Sequence, residues 1–575
     1  MRQMAAGHQT APPNTKADTV NASELLLRVL AAHGVRHIFG IPGDAINDVT
    51  DAIRRQTDIR YIQVRHEEVG AFAASAQAKF SGNLAACFGT SGPGAVHLLN
   101  GLYDAKMDHA PVIAITGQVA TGYVGTSYHQ EIDTTALFAD VSCYNVQVSD
   151  TDQLPEVFQE ACRAAIANRG VAHISLPTNI SSQRVSGGEA RLRTFSRPGR
   201  TLPDPADCNS AIDLLAKARK PAILAGIGCA NACDELVAFA DHVGAPIVRT
   251  LRAKDVIDDD HPLCVGGIGL LGGTPGIHAM ENCDVLLMVG TDFPYREFYP
   301  EHAKVIQIDN VGTHVGRRRA VDVGLVGDAG PTLAQLRSGL TPSGDRSFLD
   351  DCRARMSAWQ ERQLAKRSRG DVPIYPPRLI AEISDAAPED AIFVVDTGTS
   401  TAWAARHLAI GPKQSFQISG GLASMGFALP AAIGAQLAFP ARRVIGIAGD
   451  GAFGMLMADF ITAVRYDLPI VMIVLRNDRL AFITLEQEAA GLPDWGTEVA
   501  NPDYAKFAEA CGGIGFTISH PEEIAPALEA ALASGRPAVL DVAVDPNALI
   551  VPPKIGFGQA ANFTIAKLKE ALDKF

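Results

Sequence analysis

Val444-Ile-Gly-Ile-Ala448, Gly449-Asp450-Gly451, Ala452 through Tyr466, Ile470-Val-Met-Ile-Val-Leu475 and Asn477 read as strand, turn, helix, strand and strand end. Both apolar runs are continuous instead of alternating, the pattern of parallel strands covered on both faces. Two parallel strands joined through a helix require a right-handed crossover. That crossover brings Asp450 and Asn477, 27 residues apart, to one edge of the sheet. Similar runs recur at 60–64, 112–116, 222–224, 285–289, 305–308 and 392–395, and each block alternates such runs with longer Ala/Leu-rich segments. The repetition predicts an α/β protein of doubly wound parallel-sheet domains, whose ligands bind at the carboxyl ends of the strands.

Working outward, two polar Pro/Gly/Arg-rich stretches, 182–207 and 338–377, divide the 575 residues into three blocks. The expected organisation is a flexible lead (1–18), domains at 19–183, 205–340 and 375–550, and a tail (551–575). The first and third blocks carry a faint repeat. Gly89-Thr-Ser-Gly-Pro-Gly94 leads through a helix to Asp108-His-Ala-Pro111, and Gly449-Asp-Gly-Ala-Phe-Gly454 leads to Asp467-Leu-Pro469. No run reaches the roughly 18 apolar residues of a membrane span, and the lead lacks the apolar centre of a signal peptide. A net charge of −13 argues against a nucleic-acid-binding surface. Ten cysteines without a CxxC pair fit free thiols in a reducing cytoplasm.

The Asp450 and Asn477 oxygens suit a hard cation such as Mg²⁺, which completes its shell with phosphate and water. Glycines let backbone approach such a group, and a following helix N-terminus favours a diphosphate. A tight turn with an Asp N-cap would account for Gly449-Asp-Gly451 alone; the spaced Asn477 favours the metal reading. His66-Glu67-Glu68, after the 60–64 run, opens a helix where acidic residues need no functional reason.

Taken together, Gly-Asp-Gly, the 27-residue spacing to Asn and the His-Glu-Glu triplet resemble the thiamine diphosphate-dependent decarboxylase and carboligase superfamily. The resemblance covers nearly the whole chain. It implies an N-terminal pyrimidine-binding domain, a middle domain and a C-terminal diphosphate-binding domain. The implied metal ligands are Asp450, Asn477 and the main-chain oxygen of Arg479. Glu67 becomes the acid that hydrogen-bonds the cofactor's aminopyrimidine, a task needing a carboxyl largely removed from water. Gly43, His97, Gly398, Ser424, Gly451, Ala452, Leu480, Ala481, Phe482 and Ile483 match further cofactor contacts, and Met425 matches the apolar wedge under the bent cofactor. In the family, Glu67 and Asp450 of one site come from different subunits, so a dimer is the minimum active unit and a tetramer is expected.

Gly266-Gly-Ile268-Gly269-Leu270-Leu271 and Thr291-Asp292-Phe293-Pro294-Tyr295, with Asp309 and Asp328, resemble the FAD-binding middle domain of pyruvate oxidases, quinone-linked pyruvate dehydrogenases and acetolactate synthases. An acid after a strand suits a nucleotide ribose. In the substrate loop, Phe482, Ile483 and Glu486 follow the oxidative relatives; acetolactate synthases place Trp at the position of Glu486. Gln130 matches the oxidases' first-domain loop, whereas His129 replaces their Phe and makes the pocket more polar. The expectation is a cytoplasmic homo-oligomer using thiamine diphosphate, Mg²⁺ and FAD. It oxidatively decarboxylates a 2-keto acid, pyruvate first, to acetate or acetyl phosphate, with quinone or O₂ as acceptor and at most transient membrane contact. Acetolactate synthesis with a structural FAD is the alternative.

Overall fold

A computed structural model describes residues 20–185, 194, 199–548 and 550; the expectations for the lead and the C-terminal tail lie outside them. Three six-stranded, all-parallel sheets lie along the chain. In the first domain the strands are, in chain order, His37–Gly40, Arg60–Gln63, Ala85–Gly89, Val112–Gln118, Ser142–Gln147 and Val171–Pro177. Their spatial order is 2-1-3-4-6-5. The third domain uses Ile392–Val395, Ser415–Ile418, Val444–Gly449, Val471–Arg476, Ile514–Ile518 and Ala538–Ala543 in the same order, 2-1-3-4-6-5. The middle domain differs: Pro221–Ala225, Ile247–Arg249, Cys264–Gly267, Val285–Val289, Lys304–Asp309 and Val323–Val326 run 3-2-1-4-5-6, the dinucleotide-binding order. Every residue of Val112–Gln118 and Val285–Val289 is buried, as their unbroken apolar pattern requires.

The repeat between outer domains extends to a shared cap. His109 and Asp467 both adopt left-handed φ (57° and 53°), and Ala110 and Leu468 each donate back to the carbonyl five residues earlier, at 2.8 and 2.9 Å. The structural register therefore pairs His109, not Asp108, with Asp467. Two further expectations need correction. The crossover over 452–466 is not one helix: Asp450–Leu456 and Phe460–Arg465 flank a 3₁₀ turn, Met457–Asp459. The break lets the buried Asp459 carboxylate accept the N–H of Arg65, 2.9 Å away in the first domain. The supposed linker at 338–377 contains helix Ser347–Arg367, whose Phe348, Leu349, Cys352 and Met356 are buried. Dense charge on its other faces hides that apolar stripe from a compositional reading.

The outer domains meet through helices Glu67–Ser81 and Ala428–Ala438, both apolar almost all round and rich in alanine. At their crossing Gly434 admits the neighbouring backbone: a Cβ there would lie 2.2 Å from the Ala73 carbonyl oxygen. Near the end of the first helix, Lys79 lies 2.7 Å from Asp104 and 2.6 Å from Asp108, all three side chains almost fully buried. Asp108 also meets Arg252 of the middle domain at 3.2 Å and the N–H groups of Gly420 and Gly421 in the third domain, at 2.9 and 2.7 Å. Burial raises the Asp104 carboxyl. For Asp108 the charges of Lys79 and Arg252 outweigh burial and hold it at about 2. The ten cysteines are all free, and among the described residues no helix is long and apolar enough to cross a membrane.

Gly434→Ala should force these helices apart. Overpacking of this kind costs about 1–3 kcal/mol, read as a lower urea midpoint with an unchanged slope. An unaltered midpoint would mean that the crossing yields without strain.

Candidate active site

In a 2-1-3-4-6-5 sheet the strand order reverses between the first and third strands, and both outer domains place their chemistry there. In the third domain, Asp396 ends the first strand and leads into Gly398 (φ +135°), beside which a Cβ would meet open space. Gly449 ends the third strand and Asp450 opens the next helix. The Asp450 carboxylate is 2% exposed. It accepts N–H groups from Gly451 (2.8 Å), Asn477 (3.0 Å) and Asp478 (2.6 Å) and the amide of Asn501 (2.9 Å). Burial pushes its carboxyl above the ordinary range, against these donors. Asn477 Oδ1 accepts the Arg479 N–H at 3.2 Å, so the three positions expected to ligate Mg²⁺ lie on one turn of chain and the facing strand end. A carboxylate, an amide oxygen and a main-chain carbonyl form a donor set that fits a hard cation. Gly451 leaves room beside it: a Cβ would lie 2.8 Å from Leu480 and 3.7 Å from Met425 Cε. Ala452 is buried in the same helix.

In the first domain, Glu67 opens its helix and is 6% exposed. His97 Nδ1 sits 2.9 Å from Glu67 Oε2, and the His66 ring stacks on His97 at 4.3 Å. Glu67 Oε1 faces Gly94, where a Cβ would come within 3.2 Å. Gly43 packs on Thr90 across the reversal of strand order, a Cβ there lying 2.4 Å from Thr90 Cβ. Gln130 (φ 61°) packs its backbone on Gly92, whereas His129 is exposed. Asn100 bridges the domains, donating to Glu68 Oε1 at 2.6 Å and to Ser424 Oγ at 3.1 Å.

Helix Ala481–Ala489 carries the expected substrate residues. Thr484 and Glu488 face inward, Phe482 is half-buried against the third domain's core, and Ile483 and Glu486 are exposed.

The middle domain's order reverses between Pro221–Ala225 and Val285–Val289. Gly226 and Gly228 of one crossover pack on Gly290 (φ +55°) of the other, a Cβ on Gly226 lying 2.1 Å from the Gly290 carbonyl oxygen. Thr291 and Phe293 are buried, Tyr295 is exposed, and Tyr299 hydroxyl donates to the Phe293 carbonyl at 2.8 Å. Pro294 continues the same turn. Asp292 accepts from His109 of the first domain at 2.7 Å, which holds its carboxyl at about 2. Asp309, raised by burial, lies 3.5 Å from His314. Gly269 (φ +91°) stacks a bare Cα toward the Phe293 ring, and Arg406 of the third domain donates to the Leu270 and Leu271 carbonyls, each at 3.2 Å, beside the buried Ile268. Asp328 follows the edge strand Val323–Val326, whose end pairs with Asp309, and accepts the N–H of Thr201 at 2.6 Å. Sequence reasoning missed Gly226 and Gly228, although Gly-x-Gly directly after a strand was a visible signal. It also missed Asn501, Asp396 and Arg406, for which no motif exists.

Three family models match in register with the three domains: the thiamine pyrophosphate enzyme N-terminal TPP binding domain over 20–137, the central domain over 208–336 and the C-terminal TPP binding domain over 396–542. The Bacillus subtilis protein YdaP, whose name describes it as thiamine pyrophosphate-containing, is 41% identical over 549 residues, covering 95% of this chain and 96% of that one. A pyruvate oxidase of Lactiplantibacillus plantarum is 33% identical over 539 residues (92% and 89%). The acetolactate synthase isozyme 2 large subunit of Escherichia coli is 33% identical over 536 residues (92% and 96%). The chain belongs to the thiamine pyrophosphate enzyme family. In this thiamine pyrophosphate enzyme, the half-sites around Glu67 and Asp450 lie in the two domains that the family models describe as TPP-binding.

Asp450→Ala removes one of the expected Mg²⁺ ligands and the shared acceptor of four part-buried donors, and a hydrogen bond to a charged group is worth about 1.5–3 kcal/mol. The apo-protein's Tm should fall, and thiamine diphosphate and Mg²⁺ retention should be lost together. A variant as stable as the parent without cofactor would show that Asp450 does not organise this turn.

Proposed function

We propose that this enzyme oxidatively decarboxylates a 2-keto acid, pyruvate first, to acetate or acetyl phosphate, with electrons leaving through FAD to quinone or O₂. The observation that carries the reading is one helix, Thr399–His407. Gly398 caps its start at the diphosphate-side turn, and Arg406 near its end holds the Leu270 and Leu271 carbonyls of the candidate flavin loop. The two cofactor loops are thus one nine-residue helix apart, about 13 Å at 1.5 Å per residue. Such proximity serves electron transfer. The substrate helix supports the same branch, because Phe482, Ile483 and Glu486 carry no large indole to shape a second keto-acid site.

When bound, thiamine diphosphate supplies the electron sink for loss of CO₂, and FAD takes up the electron pair. The chain's own groups do the rest. Asp450, Asn477 and the Arg479 carbonyl would hold Mg²⁺ against the diphosphate. Glu67, with Oε2 engaged by His97, keeps Oε1 available to hold a proton at the aminopyrimidine. Gly226, Gly228, Gly290 and the Ile268–Leu271 segment form a close-packed backbone cradle of the kind a dinucleotide requires. Exposed apolar side chains stand on the elements that carry the two half-sites: Val96 beside His97, Met455 on the helix that Asp450 opens and Ile483 on helix Ala481–Ala489. Their burial in a homodimer, with Glu67 of one subunit facing Asp450 of the other, is part of the proposal.

Anaerobic mixing of flavin-loaded enzyme with pyruvate should bleach the flavin absorbance and yield acetate or acetyl phosphate. Acetolactate with an unreduced flavin would establish the carboligase instead. Glu67→Gln should lower turnover by about 10²–10⁴-fold, the usual range for one acid–base group, with Tm little changed. Parental turnover at saturating cofactor would remove Glu67 from the mechanism. Sedimentation velocity should show a dimer or tetramer, and a fully active monomer would refute the shared site.

A further inference from the structure

We propose that Asp396 and Asp108 are positioning residues that grip the loop carrying Met425 from its two ends, one from the loop's own domain and one from the first domain. The inference rests on the reading of Ser424 and Met425 as part of the thiamine diphosphate seat. The loop leaves strand Ser415–Ile418 and enters helix Ala428–Ala438. Two of its residues, Ala423 (φ 57°) and Gly426 (φ +86°), hold left-handed conformations. An alanine does so only when its surroundings over-determine the backbone.

Four backbone N–H groups supply that determination. Asp108 accepts from Gly420 and Gly421 at the start, at 2.9 and 2.7 Å. Asp396 accepts from Gly426 and Ala428 at the end, at 2.9 and 3.0 Å. Between them, Ser419 closes an inner turn through its carbonyl to Ala423 N–H (3.1 Å) and its Oγ to Ser424 N–H (3.0 Å). Both carboxylates are almost completely buried, at 4% and 1% residue exposure, so water offers the freed N–H groups no substitute. Each acid turns one oxygen to each of its two loop donors, a match an amide cannot make.

The two acids are themselves anchored to the rest of the site. Asp396 accepts the Thr397 N–H at 2.9 Å, next to Gly398. Asp108 is fixed by Lys79 and Arg252. Glycine is required where the grip is tightest: a Cβ on Gly420 would lie 2.4 Å from Arg252, and one on Gly421 2.8 Å from Met107. The result of the arrangement is the aim of Met425, whose Cε lies 3.7 Å from where a Cβ on Gly451 would stand.

The test is thiamine diphosphate titration, with Mg²⁺, of the full chain and three isosteric variants, alongside Tm. Asp396→Asn and Asp108→Asn should each raise Kd about tenfold to a hundredfold, the range for losing a hydrogen bond to a charged group. Asp104→Asn, in the same buried cluster but touching no loop amide, should change Tm without changing Kd. Asp396→Asn with parental Kd, or Asp104→Asn with an equal loss of affinity, would overturn the assignment. Should the loop variants fail to fold, hydrogen exchange in the unsubstituted apo-protein decides: the amides of Gly420, Gly421, Gly426 and Ala428 should be protected before cofactor is added. Rapid exchange there refutes the grip. A parent chain that binds no thiamine diphosphate would refute the cofactor reading instead, while the exchange result still judges the grip.

Discussion

Removing a carboxylate from water is tolerable only where other groups replace its hydration, and the domain arrangement of this enzyme is organised around that requirement. Asp108 finds its replacements in three domains: Lys79, Arg252, and the N–H groups of Gly420 and Gly421. The junction between middle and third domains obeys the same rule. Asp259 is compensated by Arg249 and Lys254 and accepts the Ile410 N–H at 2.9 Å, while Asp255 accepts the Phe416 N–H at 2.9 Å. In each case an acid outside the third domain satisfies backbone donors inside it. A domain shifted by a few ångströms would leave a buried charge unpaired, so these contacts select one packing where apolar surfaces alone would allow several.

The two outer domains show how one architecture supports different chemistry. They share strand order and the left-handed cap at His109 and Asp467. The turn after the third strand, however, is filled differently. In the first domain Gly89 packs so tightly on Gly94, with a Cβ 2.4 Å from its carbonyl oxygen, that backbone occupies the space. In the third domain a Cβ on Gly449 would meet nothing, and Asp450 stands at the rim. Function lies in this local difference and not in the fold.

Much of this was legible in the chain because parallel strands buried on both faces leave unbroken apolar runs, and crossovers then dictate which loops share an edge. The union of Asp450 with Asn477 and the isolation of Glu67 in the other outer domain follow from that logic. Three kinds of feature were not legible. Helix Ser347–Arg367 buries only a narrow stripe, so its charge dominated the composition. At the break, Met457–Asp459, the Asp459 carboxylate accepts the Arg65 N–H of another domain, a partner that the local sequence does not announce. Arg406 holds the Leu270 and Leu271 carbonyls of another domain, and an arginine on a helix carries no sign of such a partner. Asp396 was illegible because its loop partners are backbone N–H groups, which every residue type possesses; Asp108, quoted only within the repeat, meets Lys79 and Arg252 from other elements, with no spacing that announces them.

Helix Glu67–Ser81 has a mechanical consequence. Its fifteen residues make a rod about 22 Å long. Its first residue is the acid Glu67, and Lys79, two residues from its end, is fastened to Asp108 and thus to the loop bearing Met425. The rod is wedged against Ala428–Ala438 over most of its length and cannot bend freely. Its two ends are therefore held at a fixed spacing on either side of the crossing at Gly434. In the proposed homodimer those two ends serve different catalytic centres, so the helix is a rigid connection between one centre's acid and the other's wedge.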